Sequence, residues 1–248
     1  MISDETKRKL RKLGLDELIE VLRDQYINQE SYSLLSFEQR IDMAVDDLYN
    51  RKNAERAKRL IKSAKLRYRD ADVNTLYYEG RTLNRNQILG LAAGTYFATN
   101  KTIVINGYAG SGKTHLACAL GKEACRHLHR TRYIRMPELM EQLNLAEQMG
   151  AGMSRTVTRL ANYHLLIIDE WLQELPSDRE QKYLLEIFEK RYDTWPSIFC
   201  TQYKISEWHP RLGGGVLADA ICDRLVHGAE VINLGDFNMR KFQVVHKP

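Results

Sequence analysis

Apolar positions along the 248-residue chain follow two different rhythms. Leu10, Leu13, Leu15, Leu18, Ile19, Val21 and Leu22 recur every three or four residues, and Asp16 after Gly14 stands where a helix cap would. The opening segment therefore predicts a short helix pair or one broken helix. Ser31 to Ser36 interrupts the pattern. Ser36 then caps a long helix with Phe37, Ile41, Ala44, Val45 and Leu48 on one face, and Ala57, Leu60, Ile61 and Ala64 carry a narrow apolar stripe onward. Arg69 to Thr82 predicts a connector, with Asp70, Asp72, Asn74 and Gly80 as breakers, and Asn84 to Ala98 predicts a helix.

Beyond Thr102, short apolar runs alternate with helical periods. The runs predict strands at Ile103–Asn106, Arg132–Met136, Leu165–Asp169, Ser197–Thr201 and Val231–Leu234. Between them, helices are predicted at Lys113–His127, Pro137–Gln148, Ser154–Ala161, Arg179–Tyr192 and Val216–Leu225. Such alternation predicts an α/β fold: a parallel five-stranded sheet with flanking helices on both faces. The expected organisation is a small all-α N-terminal domain at 1–70 followed by an α/β domain at 71–248.

The apolar runs stop short of the roughly 20 residues a bilayer span needs, and the charged stretch Met1 to Arg11 lacks the apolar core of a secretory signal. A soluble, cytoplasmic protein is expected. Cys118, Cys125, Cys200 and Cys222 are scattered without metal-ligand spacing and predict reduced, buried side chains.

A net charge of +5 says little, but its distribution says more. Between Arg51 and Arg69 nine basic residues face the single acid Glu55, leaving few i,i+4 partners to relieve their repulsion. This face is either solvated or laid along a phosphate backbone; the charge imbalance favours nucleic acid, with Arg51, Lys52, Arg56, Arg59, Lys62 and Lys65 as contacts.

The chemistry starts at Gly107-Tyr108-Ala109-Gly110-Ser111-Gly112-Lys113-Thr114, set between a predicted strand and a predicted helix. This is the G-x-x-x-x-G-K-[ST] loop, whose backbone N–H groups and following helix N-terminus, with His115 in its first turn, cradle a polyphosphate. Lys113 is expected to reach the β- and γ-phosphates and Thr114 to hold Mg²⁺. Leu165-Leu166-Ile167-Ile168-Asp169-Glu170 supplies the complement: a buried strand delivering Asp169 to the Mg²⁺ shell and Glu170 to an attacking water. The strand ending Thr201-Gln202 offers either residue as a γ-phosphate sensor. Arg224, near the end of its helix, is a candidate arginine finger acting on a neighbour's nucleotide, or else pairs with Asp219, Asp223 or Glu230. Tyr77 and Tyr78 can stack on adenine or anchor the connector to the core.

Taken in this order, the motifs resemble the IstB-like helper ATPases of insertion sequences, relatives of the DnaC-type helicase loaders in the AAA+ class. The resemblance covers nearly the entire chain. It is carried by Leu34-Leu35-Ser36-Phe37-Glu38-Gln39-Arg40, Gly107–Leu116, Asp169-Glu170-Trp171, Glu207-Trp208-His209 and Ala218-Asp219-Ala220-Ile221-Cys222-Asp223-Arg224-Leu225-Val226-His227. It implies an AAA+ core with ATP and Mg²⁺ as cofactors, a homo-oligomer with ATP at its interfaces, duplex DNA as partner, and recruitment and stimulation of a cognate DDE transposase. Gly213-Gly214-Gly215 departs from the Gly-Asp-Pro turn common in the family. Gly235 to Pro248 is too short for a full C-terminal helical lid, so a second-sensor role either falls to Arg240 or Lys241, with Arg240 the candidate, or is absent. A helicase loader sharing this core is the nearest alternative. A small-molecule kinase and a binding module without turnover are the remaining readings.

Overall fold

The computed structural model describes residues 2–150, 152–239 and 241–242. The chain forms two compact units, one ending at Arg56 and the other beginning at Ala57. The first holds α1 (Asp4–Lys12), α2 (Asp16–Ile27) and α3 (Gln29–Tyr32), followed by α4 (Phe37–Ser63), which runs on into the second. The change of unit thus falls inside α4, ahead of the position expected from the breakers after Arg69. From Ala57 onward the apolar stripe belongs to the second unit's core, where Ala64 is buried with Leu60 and Ile61 packed around it.

Ser36 caps α4 as expected: its Oγ accepts from Gln39 N at 3.2 Å while Gln39 Oε1 accepts from Ser36 N at 2.8 Å. Asp16 does not cap α2, because Leu15 occupies the cap position and Asp16 is the first helical residue. Gln25 is buried, and its amide is satisfied by the Arg40 carbonyl at 2.8 Å. Of the predicted apolar face of α4 only Ala44 and Leu48 are buried, whereas Phe37, Ile41 and Val45 stay exposed.

In the second unit α4 stops at Ser63. Lys65 takes a left-handed φ of 55°, so the basic stretch beyond it is loop rather than helix. The segment predicted as one helix from Asn84 is two, α5 (Arg85–Ala92) and α6 (Thr95–Thr99), parted by Gly94 at φ 86°. Then follow β1 (Ile103–Asn106), α7 (Lys113–Arg126), β2 (Thr131–Arg135), α8 (Met136–Gln148), α9 (Met153–Ala161) and β3 (Leu165–Asp169). After these come α10 (Asp178–Arg191), β4 (Ser197–Thr201), α11 (Trp208–Arg211), α12 (Gly215–Val226) and β5 (Glu230–Asn233). The second and fifth strands begin and end one residue earlier than predicted.

All strand pairs are parallel, in the order β2-β3-β4-β1-β5. Two-residue periodicity divides their side chains between two cores. Ile103, Ile105, Leu165, Ile167, Ile198 and Cys200 face α7, while Val104, Leu166, Ile168 and Phe199 face α8, α9, α10 and α12. This is why the three central strands are continuous apolar runs. In the second core Trp171, Phe188, Phe199 and Trp208 meet edge to face or tilted, with ring centroids 4.7–5.9 Å apart. Trp208, which carried part of the resemblance, is thus a core anchor. No described helix is long and apolar enough to cross a membrane.

Candidate active site

A cavity of about 680 Å³ opens at the carboxyl ends of β1, β3 and β4. Its lining brings together Gly110, Gly112, Lys113, Thr114, His115, Asp169, Glu170, Thr201 and Gln202, each proposed from sequence. The phosphate loop turns on two left-handed glycines, Gly110 at φ 83° and Gly112 at φ 95°. A Cβ at Gly110 would stand 2.6 Å from Asn238 Oδ1, so the chain after β5 lies against the loop, and Met239 N donates to Gly110 O at 2.9 Å.

Lys113 lines the cavity with its side chain folded back onto the loop. Its Nζ donates to the loop's own Gly107 and Tyr108 carbonyls at 2.6 and 2.9 Å. The Thr114 hydroxyl donates to Asp169 Oδ2 at 2.7 Å, and a second donor shares that oxygen: the phenol of Tyr133 on β2, also at 2.7 Å. Burial, and then the Asp169 carboxylate, push the Tyr133 phenol far above its ordinary range, so it remains a neutral donor. Asp169 Oδ1 accepts from Glu170 N at 2.9 Å. A hydroxyl and a carboxylate side by side at the foot of a phosphate loop are hard oxygen donors, and they fit Mg²⁺ sharing its shell with phosphate and water.

Glu170 is pinned between two cations. Arg67, in the loop after α4, lies 3.7 Å from Oε1, and Arg135, at the end of β2, lies 3.6 Å from Oε2. Arg135 is in register with Asp169, which explains its reach. Thr201 is buried with its hydroxyl committed: it donates to Trp171 O at 3.0 Å and accepts from Tyr203 N at 3.1 Å. Gln202 is exposed and lines the cavity.

Leu76, Tyr77, Leu83, Leu234 and Met239 line the apolar end of the cavity. Tyr77 stands 4.5 Å from the Phe242 ring, centroid to centroid, and 5.8 Å from Phe237. Tyr78 packs on the core instead. Arg224 is not at this cavity. It pairs with Glu189 of α10, donates to Ala220 O at 2.8 Å, and lines a separate recess with Phe188, Arg191 and His227. None of the three acids considered from sequence is its partner; Glu189 is, because α10 packs beside α12. Arg240 lies outside the described residues.

The proposed DNA-contact side chains Arg51, Lys52, Arg56, Arg59, Lys62 and Lys65 are all exposed. Arg51 is engaged by Asp47 at 2.8 Å, and Lys52 lies 3.5 Å from the Gly14 carbonyl. Tyr133, Arg67, Arg135 and Arg81 were not singled out from sequence for the nucleotide site. Arg135 is reached only through the pairing of its strand with the one that ends in Asp169, which local spacing does not show.

Sheet order, phosphate loop and adjoining carboxylates define a P-loop ATPase of the AAA+ class. The chain belongs to the family of IstB-like ATP-binding proteins, whose model matches residues 8–246. A Sinorhizobium fredii protein named for an insertion sequence and for ATP binding is 34% identical over 249 residues, 98% of either chain. The ATP-binding protein of insertion sequence IS1162 from Pseudomonas fluorescens is 34% identical over 203 residues, 82% of this chain and 87% of its own. In fold, the DnaC helicase loader superposes with a TM-score of 0.57 at 20% identity, over 66% of this chain and 96% of its own. DnaA bound to AMPPCP and single-stranded DNA does so at 0.58 and 19%, over 71% and 53%.

Proposed function

We propose that this ATPase is a transposition helper that oligomerises on duplex target DNA and there recruits and stimulates a DDE transposase. The observation that carries the reading is its end-to-end similarity to an ATP-binding protein named for an insertion sequence, 98% of either chain. The exposed cations of α4 support the DNA contact. The exposed Phe37, Ile41 and Val45 support a partner on the first unit.

In this reading ATP enters with its base at the Leu76, Tyr77 and Met239 end and its phosphates on the loop. Lys113 exchanges the Gly107 and Tyr108 carbonyls for β- and γ-phosphate oxygens. Mg²⁺, held by Thr114 and Asp169, would neutralise charge on the bridging phosphates. Glu170 takes a proton from the water whose oxygen bonds to the γ-phosphorus, as the bond to the β–γ bridging oxygen breaks and ADP leaves. To do so it must give up Arg67 and Arg135. Gln202 senses the γ-phosphate. Arg224, once released from Glu189, stabilises the charge developing on a neighbour's γ-phosphate. The cytoplasm is where such a protein meets its DNA.

Glu170→Gln tests the cycle. The variant should bind ATP normally, lose at least a hundredfold in phosphate release, and form longer-lived complexes on duplex DNA with ATP. Complexes that dissociate as fast as those of the unaltered protein would refute hydrolysis as the release step. Tighter binding to single strands than to duplex would favour a DnaC-like loader instead.

A further inference from the structure

Arg81 reaches the phosphate loop from the connector that precedes α5. Its Nη2 donates to the Ser111 carbonyl at 2.6 Å and its Nη1 to the Tyr77 carbonyl at 3.1 Å. Its Nε is buried without a hydrogen-bond partner among the described residues. Burial also lowers the guanidinium's pKa, the mark of a cation taken partly out of water. No acidic side chain pairs with it among the described residues. A desolvated arginine without a carboxylate is costly to keep for structure alone.

Peptide geometry gives it a role. The Ser111 carbonyl belongs to the same planar unit as the Gly112 N–H, and in a trans peptide the two point in opposite directions. Holding that carbonyl therefore fixes where the Gly112 N–H points. Gly112, left-handed at φ 95°, immediately precedes Lys113 in the loop whose amides cradle phosphate. Its N–H takes no protein acceptor among the described residues. A cation on the carbonyl also polarises the peptide, making that N–H a stronger donor.

We propose that Arg81 is a positioning residue for ATP binding: by clamping the Ser111 carbonyl it aims and strengthens the Gly112 N–H toward the β-phosphate. Its second bond, to Tyr77 O, ties the same peptide to the connector that lines the base end. Base and phosphate subsites are thereby held in one preorganised frame.

Equilibrium titration of the full chain with ATP, ADP and AMP separates this role from a structural one. Arg81→Ala should weaken ATP and ADP about tenfold each and leave AMP, which lacks the β-phosphate, within about twofold of the unaltered protein. The KM for ATP should rise with kcat little changed, since the contact is made in ground and transition states alike. Arg81→Lys keeps a cationic donor and should recover most of the ADP affinity; it also serves as the test should the alanine variant fail to fold. Equal loss for all three nucleotides, unaltered ADP affinity in Arg81→Ala, or an Arg81→Lys variant still about tenfold weaker for ADP would overturn the proposal.

Discussion

Asp169 is the residue on which the site's polar contacts converge. Three donors meet its carboxylate: Thr114 and Tyr133 at one oxygen and the Glu170 N–H at the other. Tyr133→Phe removes one of them without opening a cavity. Because the bond ends on a charged group, it should cost about 1.5–3 kcal/mol of stability. Half-saturation of the ATPase should also move to higher Mg²⁺, since Asp169 is left less firmly aimed. Unchanged melting and an unchanged Mg²⁺ titration would show that Thr114 alone orients it. Asp169, Glu170, Lys113 and Thr114 were legible in sequence because local strand and turn patterns place them. Tyr133, Arg67 and Arg135 were not, since what brings them to the carboxylates is strand pairing and the end of α4, neither written in local spacing. The partners of Lys113 and Arg224 were illegible as well: the turn of the loop brings the Gly107 and Tyr108 carbonyls to one, and the packing of α10 beside α12 brings Glu189 to the other.

At the scale of elements, α7 packs on the sheet, and its Gly121 leaves no room for a side chain. A Cβ there would lie 2.6 Å from Ile167 Cδ1 and 3.1 Å from Leu66 Cδ2. Gly121→Ala gains helix propensity but overpacks the contact, and the net effect should be a loss of about 1–3 kcal/mol, visible as a lower Tm. A variant as stable as the original would mean that Leu66 and Ile167 can move aside freely. Every predicted strand formed to within a residue, and the three central ones at the predicted bounds, because buried parallel strands are short apolar runs with abrupt polar ends. The connecting elements were harder. Gly94 divides a segment whose apolar spacing reads as one helix, and α4 stops at Ser63 although basic residues of good helix propensity follow. In both places a left-handed residue, Gly94 or Lys65, overrides periodicity.

For the whole molecule, the AAA+ sheet and the family are settled by topology and by similarity from end to end, while the DNA contact rests on surface charge. Reversing Arg56, Arg59 and Lys62 to Glu should weaken duplex binding and reduce the slope of log K against log salt by about 3, roughly one unit for each phosphate that is no longer neutralised. A slope unchanged by the reversal would assign these side chains to solvent or to a protein partner. The central claim is that ATP controls assembly on duplex DNA, and sedimentation of the full chain measures it most directly, using duplex DNA and a non-hydrolysable ATP analogue separately and together. The account predicts a defined multimer on DNA only when both are present, reverting to smaller species when ADP replaces the analogue. One protomer per duplex at every nucleotide condition would contradict it.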